Sequence, residues 1–194
     1  MDRKRPVFPL NSVLFPGGLL PLRIFEPRYL DMISECLRND TGFVVTLIKA
    51  GRETGVAAEH YMIGTLAKIT DWKQYPDGLL GITVKGQDKV KILSQEIQQN
   101  QLILGDLEVL PTEPQSDIPA EFEQINRLLK RILVELALSY PIEEQKYTDA
   151  GWVAGRLVEL LPLELAQKQA LLELDDPLSR LFQLRDYLLN LELL

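Results

Sequence analysis

The sequence has one cysteine, Cys36, and one histidine, His60, in 194 residues. One thiol excludes an internal disulfide, and two such residues are too few for the ligands of a structural zinc site. A Cys–His or Ser–His–Asp arrangement would depend on His60 alone, and no G-x-S-x-G motif accompanies it. We expect Cys36 to be a buried structural thiol and His60 to be an exposed loop residue. The sequence therefore predicts a protein that is not an enzyme and needs no metal or cofactor.

Long apolar runs and an excess of positive charge are also missing. No segment approaches the ~20 apolar residues of a membrane span, and the basic N-terminus MDRKRPVFPL lacks the apolar core of a signal peptide. The formal charge of −7 disfavours non-specific binding to nucleic acid or to an anionic membrane. Lys85, Lys89 and Lys91 could form a local basic patch, although a solvated hairpin rim is the simpler interpretation. We expect a cytoplasmic protein with no membrane partner.

The first half of the chain has the pattern of short strands. In VFPLNSVLFPGGLLPLRIFEPRYL, two strands surround a Pro-Gly-Gly turn, and a helix is predicted from Pro27 to Arg38. Pro9 and Pro21 cannot donate to a strand ladder, which indicates edge positions or bulges. Phe43–Ile48 is a continuous apolar run typical of a buried central strand. The polar loop that follows, 49–60, is long enough to be a functional loop.

A hairpin and two further turns complete this half. The residues YPDG, between Met62–Trp72 and Leu79–Lys85, predict a hairpin. Gly86-Gln87-Asp88 predicts a second tight turn, and a change of phase in 101–110 predicts a β-bulge at Gly105-Asp106. Six or seven short strands of this kind are expected to close into a small barrel or folded sheet.

The second half is predicted to be helical. The proline-rich stretch PTEPQSDIP separates residues 1–110 from 119–194, so we predict a β-rich unit, a linker at 111–118 and a four-helix unit. Thr148 and Asp176 are predicted N-caps, Pro162 is predicted to begin a helix, and Glu143-Glu144 is expected in a solvated connection. The leucine-rich helices leave a homodimer open.

The order of these motifs resembles the N-terminal, substrate-binding domain of Lon proteases. The stretches that carry the resemblance are FPLNSVLFPGGLLPLRIFEPRYL, GFVVTLIKAG, IGTLAKITDW–YPDG–LLGITVKGQDKVKIL and DAGWVAGRLVELLPLELAQKQALLELDDPLSRLFQL. FPGG–PL–IFEPRY looks particularly like free-standing bacterial members. The resemblance implies an α+β fold, with a PUA-like pseudo-barrel β subdomain followed by a helical bundle. A Walker A loop is absent from the sequence, so the resemblance implies binding and neither ATPase nor peptidase activity.

Five residues are candidates for a binding surface. Trp72 and Tyr75 flank the hairpin turn, where they could pack across strands or form part of a peptide-binding surface. Arg23, Glu26 and Arg28 border the first strand–helix junction. They could be a surface ion-pair cluster, or the polar rim of a groove between the β and helical halves.

Three functional hypotheses remain at this stage. The first is a non-enzymatic module that binds unfolded or extended polypeptide or a protein partner, which the resemblance extends to an adaptor in protein quality control. The second is a small-ligand or RNA binder, because PUA-like folds elsewhere bind modified bases or RNA. The acidic composition opposes RNA. The third, an unrecognised hydrolase, has little support because reactive residues are so few.

Overall fold

The computed structural model describes residues 4–137 and 145–194. The chain divides into two compact units, Met1–Thr112 and Glu113–Leu194. The predicted connection that carries Glu143-Glu144 lies outside the described residues. Within them, no helix combines the length and the apolar character that crossing a membrane would require.

The first unit is built from seven strands and one helix. The strands are β1 (Lys4–Leu10), β2 (Leu19–Ile24), β3 (Phe43–Ala50), β4 (Glu59–His60), β5 (Ile63–Gln74), β6 (Leu80–Ile97) and β7 (Ile103–Val109), and the helix is α1 (Pro27–Asn39). The strands follow the order β1-β7-β6-β5-β3-β4, and β1 also pairs with β3 in parallel, so five strands close into a ring. The prediction of a barrel-like β unit is confirmed.

Apolar side chains are buried on both faces of this sheet. One face packs against α1 through Tyr29, Met32, Ile33 and Cys36 and forms the larger core. A smaller cluster, of Val7, Val44, Val90, Ile92 and Ile103, lies on the opposite face. Phe43–Leu47 is buried throughout, as the continuous apolar run predicts, and Cys36 is the buried free thiol that we expect.

The second predicted tight turn, at Gly86, is wrong. Strand β6 runs without interruption from Leu80 to Ile97, and the register with β5 shifts between the Ala67–Gly86 and Thr65–Lys89 pairs. Gly86 serves a close approach of backbones, because a Cβ there would lie 2.2 Å from the carbonyl oxygen of Phe15. Its N–H donates to Gly18 O at 2.9 Å, which joins β6 to the turn before β2.

The β-bulge lies on a different strand from the one predicted. The β6–β7 register shifts between Ile92 and Ser94, which face the consecutive residues Leu107 and Asp106. The extra residue is therefore Leu93 on β6, and Gly105-Asp106 on β7 is regular. The change in apolar alternation along 101–110 indicated an irregularity in the pairing, but either partner strand can supply the extra residue.

Strands β1 and β2 contain three prolines, Pro6, Pro9 and Pro21. Among the described strands, β2 pairs with β6 alone, so the prediction of an edge position for Pro21 is confirmed. Pro9 on β1 pairs with β3 beyond Val7, where the β7 ladder ends. Proline is tolerated at Pro21 because no strand in the part of the chain that the structure describes pairs with the side of β2 away from β6.

The predicted exposed histidine is wrong as well. His60 lies in β4, opposite Ile48 of β3, and only 4% of its surface is exposed. Its Nδ1 lies 2.8 Å from Tyr61 O. The polar loop is consequently shorter than predicted and spans residues 51–58.

The described residues of the second unit form four α-helices, α2 (Glu123–Glu135), α3 (Ala150–Leu160), α4 (Leu165–Glu173) and α5 (Pro177–Asn190), after a short 3-10 helix at Ala120–Phe122. Asp149, and not Thr148, caps α3 by accepting from Trp152 N–H. Helix α4 begins at Leu165, after a capping box made by Glu164 and Gln167, and not at Pro162. The cap predicted at Asp176 is confirmed.

Charge divides unevenly between the units. The chain has 28 acidic and 21 basic residues, and those that lie within Met1–Thr112 are equal in number. The formal charge of −7 therefore lies in Glu113–Leu194. Part of the second unit's charge is internal, since the buried Arg180 pairs with Glu113 and donates to Leu171 O at 2.8 Å. The β unit is therefore electrically neutral overall, and local charges decide its electrostatics.

Candidate functional site

The residues Glu26-Pro27-Arg28-Tyr29 organise the junction between β2 and α1. Pro27 takes the first helical turn, where no N–H is required, and the helix then turns Arg28 and Tyr29 inward. Arg28 is buried, and its Nε lies 2.9 Å from Glu26 Oε2. Its Nη1 donates to Gln101 O at 3.0 Å, and its Nη2 donates to Glu53 O at 3.4 Å. The surface ion-pair interpretation of these two residues is therefore wrong, since the pair is buried.

The same ion pair holds the loop 51–58 in place. Glu26 Oε1 accepts the N–H of Gly55 at 3.0 Å, while Arg28 binds the carbonyl of Glu53. The carboxylate of Glu53 in turn accepts the N–H of Asn11 at 2.6 Å. A loop that is long and polar in sequence is thus fixed by three charged side chains against the strands.

A small cavity of about 150 Å³ lies between this loop, β2 and the start of α1. Its apolar wall includes Phe8, Leu10, Leu22, Ile24 and Tyr29, and its rim carries Arg23, Phe25, Glu26, Glu53 and Thr54. Phe8 and Tyr29 stack with their ring centroids 3.9 Å apart. Burial raises the pKa of Tyr29 to about 12; Arg28 lowers it, and Glu26 and Glu53 raise it.

The side chains of Arg23 and Tyr75 form a separate cluster. Arg23, Gly81 and Lys73 are neighbours across three strands. The Tyr75 ring covers Gly81, where an added Cβ would lie 2.5 Å from the ring. Arg23 Cζ lies 4.6 Å from the ring centroid, and its Nη2 lies 2.5 Å from Asp77 Oδ2. These contacts support the packing interpretation of Tyr75, because they fasten the hairpin tip to β2.

Trp72 and Phe25 are two large aromatic residues of the first unit that remain exposed, with 61% and 56% of their surfaces accessible. Trp72 is opposite Ile82, which is opposite Leu22, a residue of the cavity wall. Aligned residues of neighbouring strands share a face, so Trp72 lies on the face of the sheet that carries the cavity. With strands ~4.8 Å apart, its Cα is about 10 Å from that of Leu22.

The structure thus divides the five predicted residues between three positions. Glu26 and Arg28 hold the loop that borders the cavity, and Arg23 and Tyr75 fasten the hairpin tip to β2. Trp72 is exposed on the same face of the sheet as the cavity. Sequence reasoning missed Phe25 and Glu53. The one signal for Glu53 was the unusual length of the polar loop that contains it. The groove between the two halves of the chain stays a prediction.

The predicted solvated rim of three lysines forms neither a rim nor a patch. Lys89 is buried, with 4% of its surface exposed, and the register shift between Gly86 and Lys89 places Lys85 on the face opposite to Lys89 and Lys91. A wider depression of about 560 Å³, lined mainly by Leu66, Val90, Leu93, Leu107 and Val109, lies elsewhere on this unit.

The fold is that of the Lon N-terminal domain. The crystal structure of a Lon N-terminal domain protein from Xanthomonas campestris matches 95% of this chain and 98% of its own, with a TM-score of 0.78 and 32% identity. The N-terminal domain of a Mycobacterium avium complex Lon protease shares the fold, with a TM-score of 0.63 and 18% identity. The predicted α+β fold class is confirmed.

The chain belongs to the family described as the ATP-dependent protease La (LON) substrate-binding domain, which matches residues 4–190. Lon protease from Orientia tsutsugamushi is 30% identical over an alignment of 202 positions, which covers 96% of this chain and 25% of the relative. Lon protease 1 from Hydrogenovibrio crunogenus is 28% identical over an alignment of 174 positions, which covers 84% of this chain and 21% of the relative. The chain spans about a fifth to a quarter of the length of these relatives.

Proposed function

We propose that this chain is a polypeptide-binding module without catalytic activity of its own, and that its β unit carries the binding surface. Membership of a substrate-binding domain family supports this function. The observation that carries it is a side-chain-sized apolar cavity with exposed aromatic residues, Phe25 and Trp72, nearby. Exposed aromatic residues around a small pocket are typical of surfaces that bind proteins.

In this proposal an unfolded or extended polypeptide binds mainly through its side chains. One apolar side chain enters the cavity, and Phe25 and Trp72 cover neighbouring apolar groups. Pairing of the polypeptide backbone with the open edge of β2 contributes little, because Pro21 lies in the middle of that edge and supplies no donor.

Fluorescence anisotropy with a labelled, permanently unfolded protein, such as reduced and alkylated lactalbumin, tests the proposal. We expect Phe25→Ala and Trp72→Ala each to weaken binding about fivefold to tenfold, as truncation of an interface aromatic residue commonly does. Leu189→Ala in α5 is the control, because Leu189 is exposed to a similar degree, at 54%, in the other unit. Equal affinities for all four proteins, or no binding, would exclude this surface.

We further propose a role in protein quality control, as an adaptor or a competitor for a protease in the cytoplasm. The support is family membership alone. Degradation of the same unfolded protein by a Lon protease can be followed with and without the chain. Acceleration would indicate an adaptor, slowing a competitor, and an unchanged rate would contradict both roles.

The small-ligand and RNA alternatives have weaker support. The cavity near Phe25 is smaller than the roughly 300 Å³ at which small-molecule pockets begin. Lys85, Lys89 and Lys91 do not form a phosphate-binding surface, since Lys89 is buried and Lys85 faces the other way. Salt-dependent RNA binding at physiological ionic strength would restore the RNA hypothesis.

A further inference from the structure

The charges around the cavity do not cancel. Of the three charged residues that line it, Arg23 pairs with Asp77, and Glu26 pairs with Arg28. Glu53 accepts the N–H of Asn11, but no lysine, arginine or histidine of the described residues forms an ion pair with it. Among the described residues, the cavity rim therefore has one carboxylate without an ion-pair partner, that of Glu53.

Glu53 is held where a ligand would meet it. Its carbonyl accepts from the buried guanidinium of Arg28, and its Oε1 is fixed by Asn11. Glu53 lines the cavity together with Tyr29, whose pKa this carboxylate helps to raise. A carboxylate fixed before binding loses little conformational entropy when a cation approaches it.

The volume of the cavity limits what can enter. A cavity of about 150 Å³ in another protein holds one benzene molecule. A leucine, isoleucine, methionine or phenylalanine side chain is of comparable size, whereas an indole is larger. In an extended chain, residues two apart point to the same side and are ~6.8 Å apart. The residue two positions from the inserted side chain therefore also points toward the cavity wall.

We propose that the cavity selects polypeptide segments in which a lysine or arginine stands two residues from a bulky aliphatic or phenylalanine side chain, and that Glu53 is the residue that determines this preference. The inference rests on the proposed function and adds a substrate class to it. The apolar side chain fills the cavity, and the cation lies against the carboxylate of Glu53.

Fluorescein-labelled peptides test the substrate class. Each has a Gly/Ser background with a central leucine, and the residue two positions away is Lys, Gln or Glu. We expect the intact chain to bind the Lys peptide about fivefold more tightly than the Glu peptide, as for a partly exposed ion pair. Replacement of the central leucine by glycine should abolish measurable binding.

Two matched variants separate a local effect from the acidity of the whole chain. Glu53→Gln keeps an acceptor for Asn11, and we expect the Lys and Glu peptides to bind it within twofold of each other. Glu59→Gln removes an exposed carboxylate that does not line the cavity, and it should keep the fivefold preference. A preference that survives in Glu53→Gln would overturn the role of Glu53 and leave the proposed function standing. If the intact chain binds none of the peptides and no unfolded protein, the proposed function fails too.

Discussion

The guanidinium of Arg28 lies 2.9 Å from the carboxylate of Glu26, with only Pro27 between them in the chain. The side chain of Arg28 is 4% exposed and that of Glu26 is 17% exposed, and the pair also holds two backbone groups of the loop 51–58. Because that loop supplies Glu53 and Thr54 to the lining of the cavity, the shape of the cavity depends on the ion pair between Arg28 and Glu26. A short segment at a strand–helix junction thus shapes the surface that we propose for binding.

Arg28→Ala should destabilise the protein by about 3 kcal/mol, because it leaves a largely buried carboxylate and the Gln101 and Glu53 carbonyls without their donor. Urea denaturation measures the free energy of unfolding. Arg52→Ala, at an exposed arginine of the same loop, should change it by less than about 0.5 kcal/mol. Similar losses for the two variants would show that the buried pair contributes no more than a surface charge does.

Two glycines of the β5–β6 hairpin should respond differently to alanine. Gly86→Ala places a Cβ 2.2 Å from Phe15 O, a backbone atom that cannot turn aside, and we expect a loss of about 3 kcal/mol or more. Gly78→Ala meets no atom within 4 Å, but it has a φ of +82°, so its cost should be about 1 kcal/mol. Thermal or urea denaturation ranks the two. The reverse order would mean that backbone conformation outweighs the contact with Phe15.

The order of elements could be predicted because each depends on local periodicity and turn chemistry. Phe43–Leu47 is apolar at every position since both faces of β3 are buried, and the YPDG turn has its glycine at positive φ. The tight turn predicted at Gly86 was wrong because a glycine that allows two backbones to approach closely looks the same in sequence as one that allows a turn. Which strand carries the bulge at Leu93 depends on the partner strand, which local sequence does not specify.

The candidate site was harder to predict than the fold. Arg23, Glu26 and Arg28 are close in sequence, yet Arg23 turns to Tyr75 and Asp77 while the other two turn to the loop. Their side chains point in different directions because β2 ends and α1 begins between them, so the spacing of residues on one face changes from that of a strand to that of a helix. Glu53 is held at the cavity by hydrogen bonds to Arg28 and Asn11, which are 25 and 42 residues away in the chain, and no local pattern predicts such contacts.

The buried phenol of Tyr29 should make the protein less stable in alkali. Its pKa is about 12 in the folded protein, against 10.0 ordinarily, so below pH 10 the phenol is protonated in both states. As the pH rises from 10 to about 12, the unfolded chain ionises first and stability is lost. Tyr29→Phe should reduce this loss. Absorbance at 295 nm should show an ionisation phase near pH 12 that Tyr29→Phe removes, and a titration curve unchanged by Tyr29→Phe would contradict the burial of Tyr29.

Pro21 should protect the β unit from self-association through β2. The bond from Gly86 N–H to Gly18 O sets the alternation along β2, so Leu19, Pro21 and Arg23 turn their backbone groups away from β6. Pro21 is the central one of the three, and it removes the donor that an added strand would need. Pro21→Thr restores that donor, and we expect a folded protein that forms dimers or larger species as its concentration rises. Light scattering after gel filtration measures this, with Pro114→Thr, at an exposed proline of the second unit, as the control. Equal masses for both variants at every concentration would mean that the β2 edge is protected by something other than Pro21.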